Sequence, residues 1–361
     1  MRKLAGFLTF LLLVCACSTE PSARIQRVAD NAIEDDTTGG VVFAIVDANG
    51  DVLGASAGDQ VDGTPIPLDG RFRIGSVTKT FVATAVLQLV DAGAIELGNS
   101  LPEEILAPHA GHVTIQSLLR HQTGMPDYVQ ADGFWERVRG QPDVPLAIEE
   151  VLAFIADPPR SFPTGVEWEY SNTNYIYLGL LIEAVTGESV EEVLRRSIFE
   201  PLGLDDTYLA GAEEGAPVVQ APIWIPDQGV LYPYPYDSHE SSHWTAGAIV
   251  SSASDLGVFF AALFDGRLLS AELLDRMTSV TPGSDTGDPV AGYGMGLNIY
   301  QPQELDGVTF YGHGGGVPGF QTLVWHYPEN SETIVMLSTD GRTDFKDAAL
   351  TMADIVLAEN E

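Results

Sequence analysis

Two short apolar runs, Val41 to Val46 and Val52 to Ala57, flank Asp47-Ala48-Asn49-Gly50-Asp51. Branched apolar residues on both sides of an Asn-Gly pair predict a β-hairpin. The segment before it, Ser22 to Ile33, has helical spacing. From Ser76 to Val90 the chain is apolar nearly all round, with Val77, Phe81, Val82, Ala85, Val86 and Leu89. That pattern predicts a buried helix, and Gly93 is a stop signal for it. The middle, about 100–215, alternates short helices with Pro/Gly loops. Helical periodicity is clearest over Ala147 to Ala156 and Val190 to Ile198. Residues 212–240 hold five prolines and little pattern, which predicts a long surface loop. Ser254 to Leu263 is helical again. Three strands follow, Val308 to Phe310, Gln321 to His326 and Glu332 to Leu337, as an antiparallel meander. Asp344 to Leu357 closes the chain as an amphipathic helix. Strands that bracket a helical middle imply an α+β fold. No internal repeat or low-complexity segment interrupts it.

Composition narrows the class. The 361 residues are 45% hydrophobic and 19% charged, values of a globular chain with a substantial core. Disordered, collagen-like and multi-span membrane chains are excluded. The charge is lopsided: 17 Lys and Arg against 51 Asp and Glu, a formal −34, with lysines only at Lys3, Lys79 and Lys346. Such a surface excludes nucleic acid as a partner and favours a soluble monomer.

Arg2 and Lys3 precede an uncharged run from Leu4 to Val14. This is a signal peptide in length, too short to span a bilayer. Val14-Cys15-Ala16-Cys17-Ser18 resembles a bacterial lipobox, with Cys17 as the lipid-modified residue. The plainer alternative is a secretory peptide cut after Ala16. The expected organisation is a signal peptide over 1–16, a tether over 17–21 and a single catalytic domain over 22–361. A helical subdomain is expected at about 95–240. The protein is expected to be exported and held at the cell envelope by lipid alone. With Cys17 the only cysteine left, no disulfide is available.

Three short motifs occur in order: Ser76-Val77-Thr78-Lys79, Tyr170-Ser171-Asn172 and His313-Gly314-Gly315. Each is weak alone. Context strengthens the first. The serine starts a buried helix, and the lysine lies one turn on, on the same face. A serine hydroxyl attacks only when a base takes its proton. A buried lysine loses charge by desolvation and can be that base. The helix N-terminus supplies N–H groups for a developing oxyanion.

Phe72-Arg73-Ile74-Gly75-Ser76-Val77-Thr78-Lys79 resembles the nucleophile motif of class C β-lactamases and serine D-alanyl-D-alanine carboxypeptidases. The likeness continues through Leu118-Leu119-Arg120-His121-Gln122-Thr123-Gly124-Met125-Pro126, Tyr170-Ser171-Asn172 and Ala246-Gly247-Ala248-Ile249-Val250-Ser251-Ser252. It ends with Tyr293-Gly294-Met295-Gly296-Leu297 and Gly312-His313-Gly314-Gly315-Gly316. It covers about residues 25–355. The resemblance implies a β-lactamase/transpeptidase-like α+β fold, an antiparallel sheet flanked by helices with an all-helical subdomain beside it. It implies that Ser76 is acylated, that Lys79 and Tyr170 shuttle its proton, and that Asn172 orients Lys79 and the substrate carbonyl. His313, Gly314 and Gly315 then lie on an edge strand where an extended substrate adds. The N–H groups of Ser76 and Gly316 form the oxyanion hole beside Gly315. No metal or organic cofactor is implied. His121 and Gly124 read as a structural turn.

Two other motifs compete. Gly54-Ala55-Ser56-Ala57-Gly58 matches a nucleophile elbow, which needs a strand before it and a helix after it. Here it sits inside the second strand of the hairpin, before a Pro/Gly loop. His239-Glu240-Ser241-Ser242-His243 matches the zinc-protease signature, which works only on a helix. Its prolines and serines read as loop. The pair His109 and His112 has no further ligands.

The chemistry expected is that of a serine hydrolase acting on a small-molecule or peptide amide or ester, most like a D-alanyl-D-alanine carboxypeptidase or a β-lactamase-related hydrolase. His313, where class C β-lactamases carry Lys, argues against a dedicated β-lactamase. Gly314 and Gly316 lack the hydroxyls with which the carboxypeptidases hold a terminal carboxylate. The alternatives are an esterase or D-aminopeptidase of the same fold, or a slowly acylating, lipid-anchored penicillin-binding sensor.

Overall fold

The computed structural model describes residues 20–33, 39–102, 105, 112–156, 159–225, 229–231, 236–341 and 343–358. The signal segment, Cys17 and His109 lie outside the described residues.

Helix α1 (Glu20–Ala32) leads into the expected hairpin, β1 (Gly40–Val46) and β2 (Val52–Gly58). The Asp47 carboxylate accepts from the N–H groups of Asn49 and Asp51 and so fixes the turn. Ser56 lies within β2, as its strand pattern requires. Strand β3 (Phe72–Arg73) runs into a 3₁₀ turn at Gly75–Val77, then α2 (Thr78–Asp91). Ser76 therefore sits on a tight turn just ahead of the α-helix rather than in it.

The helical middle contains α3 (Ile115–Leu119), α4 (Phe134–Gly140), α5 (Ile148–Ala153), α6 (Thr173–Thr186) and α7 (Val190–Leu194). The last widens into a π turn at Arg195–Phe199. After β4 (Tyr208–Leu209) comes the segment read as a long loop. It holds instead a hairpin, β5 (Ile223–Ile225) and β6 (Gly229–Leu231), and helix α8 (Asp237–Gly247). The loop reading fails for a physical reason. The buried positions of α8 are Ser238, His239, Ser242, His243, Thr245, Ala246 and Gly247, so no apolar stripe marks it before its last two residues. Backbone carbonyls satisfy the three hydroxyls: Ser238 donates to Val138 O at 3.1 Å, Ser242 to His239 O at 3.1 Å and Thr245 to Tyr175 O at 2.8 Å.

Next come β7 (Ile249–Ser251), α9 (Ala253–Phe264), α10 (Ala271–Thr278), β8 (Val290–Tyr293) and β9 (Asn298–Tyr300). The meander follows as β10 (Phe310–Val317), β11 (Phe320–Tyr327) and β12 (Glu332–Ser338), and α11 (Lys346–Ala358) completes the elements. The first meander strand starts where its expected range ended, and it takes in the whole glycine run.

The main sheet is antiparallel in the order β2-β1-β12-β11-β10-β9-β8. Both faces of β1 are buried, because alternate residues serve different cores. Val42, Ala44 and Val46 join Leu256, Phe259 and Phe260 of α9 and the helical middle. Val41, Phe43 and Ile45 join Ile25 and Ala29 of α1 and Met352 and Val356 of α11. One change from expectation matters for the site. Strand β10 is internal in the sheet order, but β9 pairs only with its first three residues, Phe310 to Gly312. From His313 to Val317 only the β11 side is paired. Among the described residues no helix is long and apolar enough to cross a membrane.

Candidate active site

The 3₁₀ turn carrying Ser76 is pressed against the unpaired half of β10. Gly75 adopts φ +52°, and a Cβ on it would stand 2.7 Å from Gly316 N. A Cβ on Gly315 would stand 2.0 Å from Ile74 O and 3.2 Å from Ser76 N. Only glycine permits this backbone-to-backbone contact. It puts the N–H-bearing turn of Ser76 beside Gly315 and Gly316.

Lys79 is fully buried, and its Nζ meets three partners: Ser76 Oγ at 3.0 Å, Asn172 Oδ1 at 2.8 Å and Ala246 O at 2.6 Å. Two of these, an amide oxygen and a carbonyl, can only accept. A neutral amine has two hydrogens for them and one lone pair, which is left for the Ser76 hydroxyl. Burial lowers the lysine to about 7, with Asp127 pulling the other way. The amine is therefore poised between base and acid near neutrality.

Tyr170 is half-buried, and its hydroxyl hydrogen-bonds the Ser76 side chain. Burial raises this phenol above its ordinary value despite that bond, so it enters as a proton carrier in its neutral form. Asn172 is held by Asp127, which accepts from its Nδ2 at 3.0 Å and from its backbone N–H at 3.2 Å. Burial raises the Asp127 carboxyl, while Lys79 opposes the rise. Ser76, Lys79, Tyr170 and Asn172 thus form one hydrogen-bonded group.

His313 stands beside that group, one ring away, with its centroid 6.3 Å from that of Tyr170. Its Nδ1–H donates to Gly314 O at 2.5 Å, so Nε2 is the acceptor for the Tyr293 hydroxyl at 3.2 Å. Tyr293 accepts in turn from His121 Nε2–H at 3.2 Å, because His121 Nδ1 takes the Ser171 N–H. Burial first and Lys79 second lower His313 to about 3. His313 is a neutral, fixed ring. His121, read as a turn residue, does occupy a turn at φ 55°, but its ring also lies 4.3 Å from that of Tyr170. It belongs to the site.

A profile of the beta-lactamase family matches residues 25–358. The chain belongs to the beta-lactamase family. Penicillin-binding protein 4* of Bacillus subtilis (strain 168) is 25% identical over 347 residues, which is 86% of this chain and 72% of that protein. Esterase EstB of Burkholderia gladioli is 32% identical over 207 residues, 53% of this chain and 52% of that one. In structure, a D-stereospecific amidohydrolase from Streptomyces sp. superposes with a TM-score of 0.79 at 27% identity, over 92% of this chain and 97% of the other. This family member is a serine hydrolase of β-lactamase/transpeptidase-like α+β fold.

Sequence reasoning passed over Asp127 and Tyr293. Asp127 directly follows the quoted Met125-Pro126 stretch, but nothing in the sequence places its carboxylate near Lys79 or Asn172. Tyr293 opens a quoted motif that was assigned no role. The zinc signature needs correcting in form, since α8 is a helix. Its histidine rings stack 3.9 Å apart, and Glu240 turns away to Arg73 at 2.6 Å. Among the described residues no group of three or more His, Cys, Asp or Glu could hold a metal ion.

Proposed function

We propose that the protein hydrolyses an amide or ester whose acyl part carries a free amine, through an acyl-enzyme on Ser76. Neutral Lys79 takes the hydroxyl proton as Ser76 Oγ attacks the carbonyl carbon. The oxyanion forms against the N–H groups of Ser76 and Gly316. Tyr170 passes a proton to the departing amine or alcohol as its bond to the carbonyl carbon breaks. A water then attacks the ester, giving its proton back through the same groups, and the acid leaves. Asn172 and Asp127 hold Lys79 and the substrate carbonyl in place.

One observation carries the amine preference. A pocket of about 250 Å³ beside Tyr170 is lined by Asp127 and Glu169, with Gln130 and Ser161. Two cations among the described residues near the site are already engaged, Arg73 by Glu240 and Lys346 by Asp288 and Glu304. Similarity to the D-stereospecific amidohydrolase of Streptomyces and to esterase EstB supports amide and ester substrates, and the former supports D stereochemistry. The decisive comparison is a D-amino-acid p-nitroanilide with a free amine against its N-acetyl form and against N-acetyl-D-Ala-D-Ala. The free amine is expected to have the highest kcat/KM, and Glu169→Gln to reduce that lead. Preferred cleavage of N-acetyl-D-Ala-D-Ala would overturn this in favour of carboxypeptidase action.

The envelope anchor at Cys17 is part of the same proposal and rests on the Val14-to-Ser18 pattern. Cys17→Ser in a bacterial host is expected to free the protein from the membrane fraction or block its maturation, and unchanged association would refute the lipid.

A further inference from the structure

The far side of the glycine run borders a cavity of about 640 Å³, within the size range of small-molecule sites. Its walls include Gly314, Gly316, Tyr300, Leu323, Trp325 and Phe345. In strand β10 the residues alternate: Gly315 faces Ile74 and Ser76, and Gly314 and Gly316 face the cavity. Packing explains Gly315, but not its neighbours. A Cβ on Gly316 would meet nothing within 4 Å, and one on Gly314 nothing nearer than the Tyr300 hydroxyl at 3.9 Å. These two glycines leave space. One strand therefore separates the cavity from the nucleophile, and the strand edge between them is unpaired beyond Gly312. A substrate lying along that edge reaches Ser76 on one face and the cavity on the other.

The Tyr300 hydroxyl sits where this space begins. Its oxygen accepts from Asn298 Nδ2 at 3.0 Å and from the Gly314 N–H. Both bonds use lone pairs, so its own hydrogen is uncommitted, and among the described residues it donates no hydrogen bond. Burial keeps the phenol protonated. A buried hydroxyl with a spare hydrogen beside an open cavity is a donor awaiting an acceptor. The charge around it disfavours an anion. Lys346 and Asp344 line the cavity, but Lys346 is bound by Asp288 at 2.9 Å and lies 3.7 Å from Glu304. Among the described residues, one cation at this cavity thus faces three carboxylates.

We infer that this cavity is a substrate pocket for a neutral, largely apolar group bearing one hydrogen-bond acceptor, and that Tyr300 is its donor and a specificity-determining residue. The hydroxyl missing from position 314 is supplied from β9 instead. The inference rests on acyl-enzyme formation at Ser76, and its test separates the two. Esters carrying a 4-acetylphenyl group, on the acyl or the leaving side, are compared with 4-isopropylphenyl isosteres that lack the acceptor. p-Nitrophenyl acetate is the small reference. The wild type is expected to prefer the acetyl compound on one side by about tenfold, the worth of one well-placed hydrogen bond. Tyr300→Phe should erase that preference. Gly314→Val keeps the hydroxyl and fills the space, and should cut the kcat/KM ratio of bulky to small ester by about tenfold or more. An undiminished acetyl preference in Tyr300→Phe, or an unchanged ratio in Gly314→Val, overturns the pocket while fluorophosphonate still labels Ser76. Loss of that labelling in the wild type overturns the acyl-enzyme and the pocket together.

Discussion

Lys79 has three partners but, when neutral, one lone pair, which only the Ser76 hydroxyl can use, and in the proposed reaction its protonation decides whether Ser76 is activated. Burial lowers it from 10.5 to about 7. Below that value the amine is charged and cannot accept the hydroxyl proton, so kcat/KM should rise with pH through a midpoint of about 7. Asp127 raises the lysine, so Asp127→Asn should move that midpoint to lower pH, and a pH–rate profile of both proteins checks the sign. Tyr293 supports a second prediction. Its hydroxyl joins His121 to His313, so Tyr293→Phe leaves a buried Nε2 on His313 without its donor. Such a loss costs about 1–3 kcal/mol. The expected result is a fall in kcat of about tenfold or more with KM little changed, since no substrate contact is removed. An equal rise in KM would instead mean that the pocket had collapsed. Ser76 and Lys79 were legible in the sequence because they share one helical turn. Asp127 and Tyr293 were not, because their partners Asn172 and His313 lie far along the chain, and no local pattern announces a contact made by folding.

At the scale of elements, the contact between the Ser76 turn and β10 is set by Gly315. A methyl there would collide with the Ile74 carbonyl at 2.0 Å. Gly315→Ala should therefore push β10 off the turn, part the N–H groups of Ser76 and Gly316, and lower kcat by about 100-fold, the scale of losing an oxyanion donor. Circular dichroism should show the sheet retained, because β10 stays paired with β11 over Tyr311 to Val317. Full activity in this variant would mean that the two elements do not form the oxyanion hole. Legibility differed between elements for a physical reason. The hairpin of β1 and β2, and α2, α9 and α11, declare themselves by apolar runs. Helix α8 hides because most of its buried face is Ser, His and Thr, and β10 is under-read because glycines carry no strand pattern. Both elements reach the site: α8 touches Lys79 through Ala246 O, and β10 touches the Ser76 turn through Gly315.

Over the whole molecule the net charge of −34 sets a field that every substrate must cross. Screening shortens that field to about 10 Å at 0.1 M salt and about 3 Å at 1 M. Added salt should thus lower kcat/KM for a cationic amine substrate, raise it for one ending in a carboxylate, and leave a neutral ester nearly unchanged. Steady-state rates across a salt series check this, and a rise for the cationic substrate would contradict the steering. The same charge bears on the open half of β10. Between His313 and Val317 a row of backbone donors and acceptors has no strand beside it on the β9 side. Any extended chain can dock there, including the edge of a second copy, so an edge left open for substrate carries with it a liability to self-association. The glycine run offers such an intruder no side chains to interlock with, and two copies of like charge repel before their edges meet. The acidity that opposes an anionic substrate therefore also opposes capping of the active site by a second copy.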